Sequence, residues 1–166
     1  MKSIKIKIPQ GYQIDEEKST FTNIVFKPIE KKWVDLGLPS GTLWCNINEK
    51  DHYSWDEMMN KFDKENLPKL TDFAELYDYC DWKWSDEKKG MVVTGPNGNK
   101  IFIPASGYRF NYNDNFDDID SSGHYWSASP NTDYPYVLYF DYNGRVLPSD
   151  YNYRTLNFSV RCIKRK

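Results

Sequence analysis

The chain has 166 residues with 22 Lys and Arg against 24 Asp and Glu, a formal net charge of −2. That length suits one domain of ordinary size, and a near-neutral balance lacks the clustered cations that general nucleic-acid binding needs, so no nucleic-acid partner is expected. Apolar residues make up 39% but aromatics 17%, with 13 Tyr, 9 Phe and 6 Trp, so a packed core built largely on rings is expected rather than disorder. No apolar run approaches the roughly 18 residues a membrane helix requires, so no membrane insertion is expected. The first 30 residues alternate charged and apolar side chains without an apolar core segment, so no signal peptide is expected.

In chain order, Ile4-Lys5-Ile6-Lys7-Ile8 alternates with period two, the pattern of a half-buried strand. Ile24-Val25-Phe26 is a second β-branched run before Pro28. Residues 1–32 are expected to form a strand or arm added to a main domain at 33–166. The edge of the first strand could pair with a second copy of the chain, so homo-oligomerisation through it is a further expectation. Residues 33–44 read as strand, turn and strand around Pro39-Ser40-Gly41.

Two helices are predicted next. Ser54 caps the first, with Glu57 closing a capping box, and Trp55, Met58, Met59 and Phe62 share one face. Thr71 caps the second, with Phe73, Leu76, Tyr77 and Cys80 on one face and Asp72 and Glu75 in its first turn. Strands follow. Residues 91–94 and 101–104 flank a turn at Asn97-Gly98, and shorter strands are read at 107–109, 125–129, 136–141, 145–147 and 159–163. Asn143-Gly144 supplies another hairpin turn. The order predicts an α+β fold with a twisted antiparallel sheet, and Trp44 and Trp126 are expected in its core.

Candidate chemistry is sparse. Cys45, Cys80 and Cys162 form no CxxC pair, and only His52 and His124 are present, so neither a zinc site nor a His-based dyad is expected. The run Asn113-Asp114-Asn115-Phe116-Asp117-Asp118-Ile119-Asp120 supplies oxygen ligands for calcium. Its spacing departs from an EF-hand loop, with Asp118 at the glycine position and His124 at the final glutamate position, so a solvated or partner-facing acidic loop is favoured over a cation site. No nucleophile elbow or phosphate loop occurs, and the paired carboxylates lack an apolar frame to raise a pKa. The chain is therefore expected to be non-catalytic and to carry no cofactor.

A series of motifs then carries a resemblance. They are Val34-Asp35-Leu36-Gly37-Leu38-Pro39-Ser40-Gly41-Thr42-Leu43-Trp44, Leu67-Pro68 before Thr71-Asp72-Phe73-Ala74-Glu75-Leu76, and Cys80-Asp81-Trp82-Lys83-Trp84. Val93-Thr94-Gly95 with Asn97-Gly98, and Ile103-Pro104-Ala105-Ser106-Gly107-Tyr108-Arg109, come next. Tyr125-Trp126-Ser127-Ala128-Ser129, Leu138-Tyr139-Phe140 and Ser159-Val160-Arg161 complete the series. In this order, over residues 33–163, the chain resembles the major paralogous (FISUMP-type) domain common in gut anaerobes. The resemblance implies a C-type-lectin-like fold of the formylglycine-enzyme-like branch, a scaffold shared with variable proteins of diversity-generating retroelements and with phage receptor-binding proteins. It departs from that pattern at Asn157, where the family has Gly and where Asn would tolerate a left-handed backbone, and at Cys162, where it has Pro. The cysteines match no redox pair of formylglycine-generating relatives. A cytoplasmic or phage-virion location follows as an expectation.

The C-terminal third stands apart in composition. Residues 111–157 hold seven acidic side chains against Arg145 and Arg154, with eight Tyr and seven Asn. Tyr supplies amphipathic contact area at low entropy cost and Ser and Asn supply adaptable hydrogen bonds. Along 136–141, Leu138 and Phe140 are expected to face inward, with Tyr139 and Asp141 outward. The expected ligand-binding residues are Asn131, Asp133, Tyr134, Tyr139, Asp141, Tyr142, Asn143, Ser149, Asp150, Tyr151, Asn152 and Tyr153. Thirteen positions of this region, these residues among them with Thr132, Thr155 and Asn157 but without Tyr139 and Asp141, are reachable from Asn codons by adenine-directed mutagenesis. The ligand is expected to be a protein or glycan surface. A calcium-dependent lectin and a structural paralogue without a ligand are the alternatives.

Overall fold

The computed structural model describes residues 6, 8–9, 12–20, 23–110, 115–131 and 133–166. The chain divides into two compact units, Met1–Lys31 and Lys32–Lys166. In the first, β1 (Tyr12–Ile14) pairs antiparallel with β2 (Phe26–Pro28), and the Asp15 amide donates to the Val25 carbonyl at 2.8 Å. The expected strand over residues 4–8 lies outside the described residues apart from Ile6 and Ile8, both exposed and neither in a strand.

The second unit is predominantly β. Its strands are β3 (Trp33–Asp35), β4 (Leu43–Cys45), β5 (Asp81–Ser85), β6 (Gly90–Thr94), β7 (Lys100–Pro104), β8 (Ser106–Phe110), β9 (Phe116–Ile119), β10 (Ser122–Trp126), β11 (Tyr136–Asp141), β12 (Val146–Tyr151), β13 (Leu156–Asn157) and β14 (Ile163–Lys164). They form a six-stranded sheet in the order β12-β11-β10-β8-β13 with β9 on β8, and two three-stranded sheets, β14-β4-β3 and β5-β6-β7. The α-helices are short: α1 (Trp55–Lys61) and α2 (Leu70–Tyr79).

This overturns the α+β, C-type-lectin-like expectation. Among the described residues the architecture is mostly strand, distributed over several sheets, rather than two helices against one twisted antiparallel sheet. The largest sheet is not purely antiparallel, because β8 and β10 run parallel at Gly107 and Gly123. Helical periodicity covers only 7 and 10 residues, and the alternating Asp81-Trp82-Lys83-Trp84-Ser85 segment, not read as a strand from sequence, adds β5 to the count.

Local signals explain the helix ends. The Ser54 hydroxyl accepts from the Glu57 amide, and the Glu57 carboxylate accepts from the Ser54 amide at 2.8 Å, a reciprocal cap. In α2 the cap is Lys69 rather than Thr71. The Asp72 carboxylate accepts the Lys69 amide at 2.7 Å and also holds the Arg165 guanidinium, so the helix starts one residue before Thr71. Phe73 and Leu76 are fully buried as expected, while Tyr77 is exposed.

The core has two parts. One gathers Leu36, Trp44, Phe73, Leu76, Val93, Ile103, Tyr125, Leu138 and Phe140; the other gathers Cys45, Trp55, Met58, Trp126, Val137, Phe158 and Val160. Trp44 and Trp126 are fully buried. All five residues of β10 are buried, so this strand contributes to both clusters, Tyr125 to one and Trp126 to the other. A register shift between Val137 and Tyr139 lets consecutive Val137 and Leu138 both enter the core. Gly123 is required where it stands, since a Cβ there would lie 2.2 Å from Phe140 Cζ. At Gly107, with φ of +61°, a Cβ would lie 2.0 Å from the Asp117 carbonyl oxygen, so the close approach of β9 to β8 depends on it. Asn157 sits on β13 opposite Arg109 and is buried; it is not among the residues of positive φ, so the left-handed turn expected there does not form.

Candidate binding face

The β11–β12 hairpin carries most of the expected site residues, and it spreads them over its length rather than gathering them on one face. Tyr136 stands opposite Tyr151 at the open end, and Phe140 opposite Val146 near the turn. Three exposed rings meet at the open end: Tyr134 lies 5.2 Å from Tyr153 and 6.3 Å from Tyr151, both edge-to-face. Asp133 is exposed and Asn131 and Asn152 half-buried in the same loops, and the Asn152 amide donates to the Pro135 carbonyl at 3.2 Å. Ser149 is exposed and Asp150, opposite Val137, half-buried on β12.

The turn end has another task. The Asp141 carboxylate accepts the amides of Asn143 at 2.9 Å and Arg145 at 3.2 Å, and Gly144 takes a φ of +82°. Asp141 and Asn143 thus build the hairpin turn. Tyr142 is exposed but separated from the three-ring cluster by the length of the hairpin. Tyr139 faces away from Leu138 and Phe140, as the alternation requires. Its ring lies 5.1 Å from His124, and its hydroxyl donates to Asp141 at 3.2 Å. Burial, then the Asp141 carboxylate, pushes the Tyr139 phenol above its ordinary range, so it stays a hydroxyl donor at neutral pH.

Beside Tyr153 opens a cavity of about 370 Å³ lined by Tyr108, Phe110, Asp118, His124, Asn152, Tyr153, Leu156 and Phe158. Of these, the sequence reading singled out Asn152 and Tyr153 as binding residues, and Asp118 only as part of the acidic run. The floor is a packed set of rings. Tyr108 meets His124 edge-on at 5.2 Å and Phe158 at 6.2 Å, and His124 stacks on Phe158 at 4.9 Å. Alternation along β8 turns Tyr108 and Phe110 to one side and Arg109 to the other. Asp118, with a φ of +58°, sits on β9, so part of the acidic run is strand rather than open loop; Asn113 and Asp114 lie outside the described residues. No group of three or more His, Cys, Asp or Glu side chains that could hold a metal ion occurs among the described residues.

Both histidines are neutral in the fold. Burial, followed by the positive potential of Arg109, lowers His52 to about 4, and burial lowers His124 to about 4. Ser122 Oγ lies 3.1 Å from His124 Nε2, while His124 Nδ1 is buried without a hydrogen-bond partner among the described residues. The cysteines are free thiols; Cys162 Sγ donates to Glu49 at 3.1 Å, and burial, then Asp81, pushes Cys80 up to about 11, far from a reactive thiolate at neutral pH. No family model, no curated protein and no solved structure matches this chain.

Proposed function

We propose that the protein is a non-catalytic binding module that captures a protein or glycan surface through the open end of the β11–β12 hairpin. The observation that carries this reading is the cluster of Tyr134, Tyr151 and Tyr153, three exposed rings in which Tyr134 meets both of the others, beside a ring-lined cavity sharing Tyr153. Exposed aromatic clusters of this kind supply rigid contact area with a hydroxyl rim, the chemistry of paratopes. The site is narrower than the twelve residues read from sequence: Tyr134, Ser149, Asp150, Tyr151, Asn152 and Tyr153 belong to it with the loop residues Asn131 and Asp133, whereas Asp141, Tyr142 and Asn143 serve the opposite end. The Asn-codon-reachable residues at this end support diversification by a retroelement, as in a variable protein or a phage receptor-binding protein; a near-identical downstream DNA copy differing only at adenines is the observation that tests that origin.

The binding test is a glycan and cell-surface protein array probed with the full chain and with a Tyr134→Ala/Tyr151→Ala/Tyr153→Ala variant. Truncation at contact hot spots costs about 2 kcal/mol or more each, so the variant loses capture while its melting temperature stays near that of the parent, because all three rings are exposed. Full capture by the variant refutes the assignment.

A further inference from the structure

The lining of the 370 Å³ cavity has a chemical bias. Tyr108, Phe110 and Tyr153 contribute aromatic rings over a floor of fully buried Phe158, and Asp118 is the sole carboxylate among the described lining residues. His124 adds a neutral imidazole wall rather than a positive charge at pH 7. The cations near in sequence are turned to other partners. Arg109 projects from the other side of β8 and lies 5.9 Å from the Phe116 ring. Arg145 lies 5.9 Å from the Tyr139 ring, and Arg154 pairs with Asp56 and stacks on Trp55 at 4.6 Å. The surrounding segment, residues 111–157, carries seven acidic side chains against two basic ones.

We propose that this cavity is an aromatic cage for a trimethylammonium group, which names the ligand chemistry of the binding face above and rests on that reading. Ring faces carry the negative end of the aromatic quadrupole, so a ring-walled cavity with one carboxylate favours a cation over a neutral group of the same shape. A quaternary ammonium has no N–H to satisfy and sheds little hydration. A primary ammonium brings three donors and a strongly held hydration shell, which ring faces do not replace. The volume stands at the small end of ligand pockets, roughly 300–1,000 Å³, which fits a compact head group. Such a group reaches the protein either on a choline-type molecule or on a trimethylated lysine of a partner; a peptide carrying trimethyl-lysine and free choline separate the two sources.

The test titrates the full chain with choline chloride, with its neutral carbon isostere 3,3-dimethyl-1-butanol, with methylammonium chloride and with the trimethyl-lysine peptide. Saturation transfer to the N-methyl protons and the His124 imidazole resonances are read at constant ionic strength. Choline or the peptide binds, with the isostere and methylammonium weaker by about tenfold or more. Asp118→Asn, which keeps a residue tolerant of the left-handed backbone, weakens choline but not the isostere, and Tyr153→Ala, a change at an exposed ring, weakens both. A peptide that outbinds choline assigns the source to a modified protein; the reverse assigns it to a small molecule. Equal binding of choline and its isostere or of choline and methylammonium, absence of saturation transfer at ten times about 1 mM choline and peptide, or insensitivity of choline binding to both variants overturns the cage. If the cage fails while Tyr134→Ala/Tyr151→Ala still abolishes array capture, the binding face stands with a different ligand; if that pair leaves capture intact, the face itself is wrong.

Discussion

Acidification is a direct probe of the two imidazoles, His124 buried and His52 half-buried. His52 and His124 are the only histidines in the chain, and burial holds each at about 4 in the fold. In the unfolded chain each returns to about 6.5. Between these values the unfolded state binds more protons, so stability is fully present above pH 6.5, falls as pH drops toward 4 and levels off below it. For one group with these two pKa values the loss at pH 5, relative to pH 8, is about 2 kcal/mol, and for both together about 4 kcal/mol. Domains of this kind are stable by roughly 5–15 kcal/mol, so the loss is a large fraction of the total. The window from pH 7 to pH 5 isolates the imidazoles, because most carboxylates stay ionised there. Urea unfolding at pH 8, 7, 6 and 5, followed by tryptophan fluorescence, gives the slope. The same series on His52→Gln and His124→Gln should each remove about half of it. A flat profile between pH 7 and pH 5, or an undiminished slope in a double variant that still folds, refutes the claim that the fold holds both rings neutral.

Two further substitutions test the framework that positions the face. Gly123→Ala places a methyl group 2.2 Å from Phe140 Cζ and should cost about 1–3 kcal/mol in urea unfolding; adding Phe140→Leu should recover part of that loss, and strictly additive costs would show that the two residues do not meet. Arg161 is fully buried and, among the described residues, pairs with no carboxylate; it donates to the carbonyls of Cys45 on β4 at 2.8 Å and Phe102 on β7 at 2.9 Å, so it ties two of the sheets together. Lys offers a point charge instead of a fork, so Arg161→Lys leaves a buried carbonyl unpaired and should destabilise by about 1–3 kcal/mol, and a change within about 0.5 kcal/mol would contradict that role.

Where chemistry acts between near neighbours, the sequence was readable. The Ser54–Glu57 cap, the hairpin joining β6 and β7, the Asn143-Gly144 turn and the inward alternation of Leu138 and Phe140 all depend on residues a few positions apart. The start of α2 was misplaced because Asp72 caps from inside the helix, against a lysine that carries no capping signature. The architecture was missed for a non-local reason. β8 and β10 meet in parallel at Gly107 and Gly123, and neither glycine stands in a turn pattern that announces such a pairing; what the missing side chains admit is the approach of Asp117 on β9 and Phe140 on β11. The same pairing hid half of the site. His124 was weighed only as a metal ligand or a member of a dyad, and Tyr108, Phe110, Leu156 and Phe158 belong to separate short segments that β8, β10 and β13 bring to one cavity. The alternation of Tyr108, Arg109 and Phe110 was the one local hint that two rings share a face. In the twelve-residue set, period-two and composition arguments could not tell the open end of a hairpin from its turn, which is why Tyr142 was grouped with Tyr134, Tyr151 and Tyr153.

That separation gives the most direct measurement. Array capture by the full chain is compared with capture by Tyr134→Ala/Tyr151→Ala/Tyr153→Ala and by Tyr142→Ala, with the melting temperature of each recorded alongside. All four side chains are exposed tyrosines, with relative accessibilities of 42%, 62%, 61% and 59%, so the chemistry of each truncation is the same and Tyr142 stands apart by its position. Loss of capture in the triple variant, with capture retained by Tyr142→Ala and little change in either melting temperature, is the result predicted for a binding face at the open end of the hairpin. Retention by the triple variant, or equal loss from Tyr142→Ala, would contradict it.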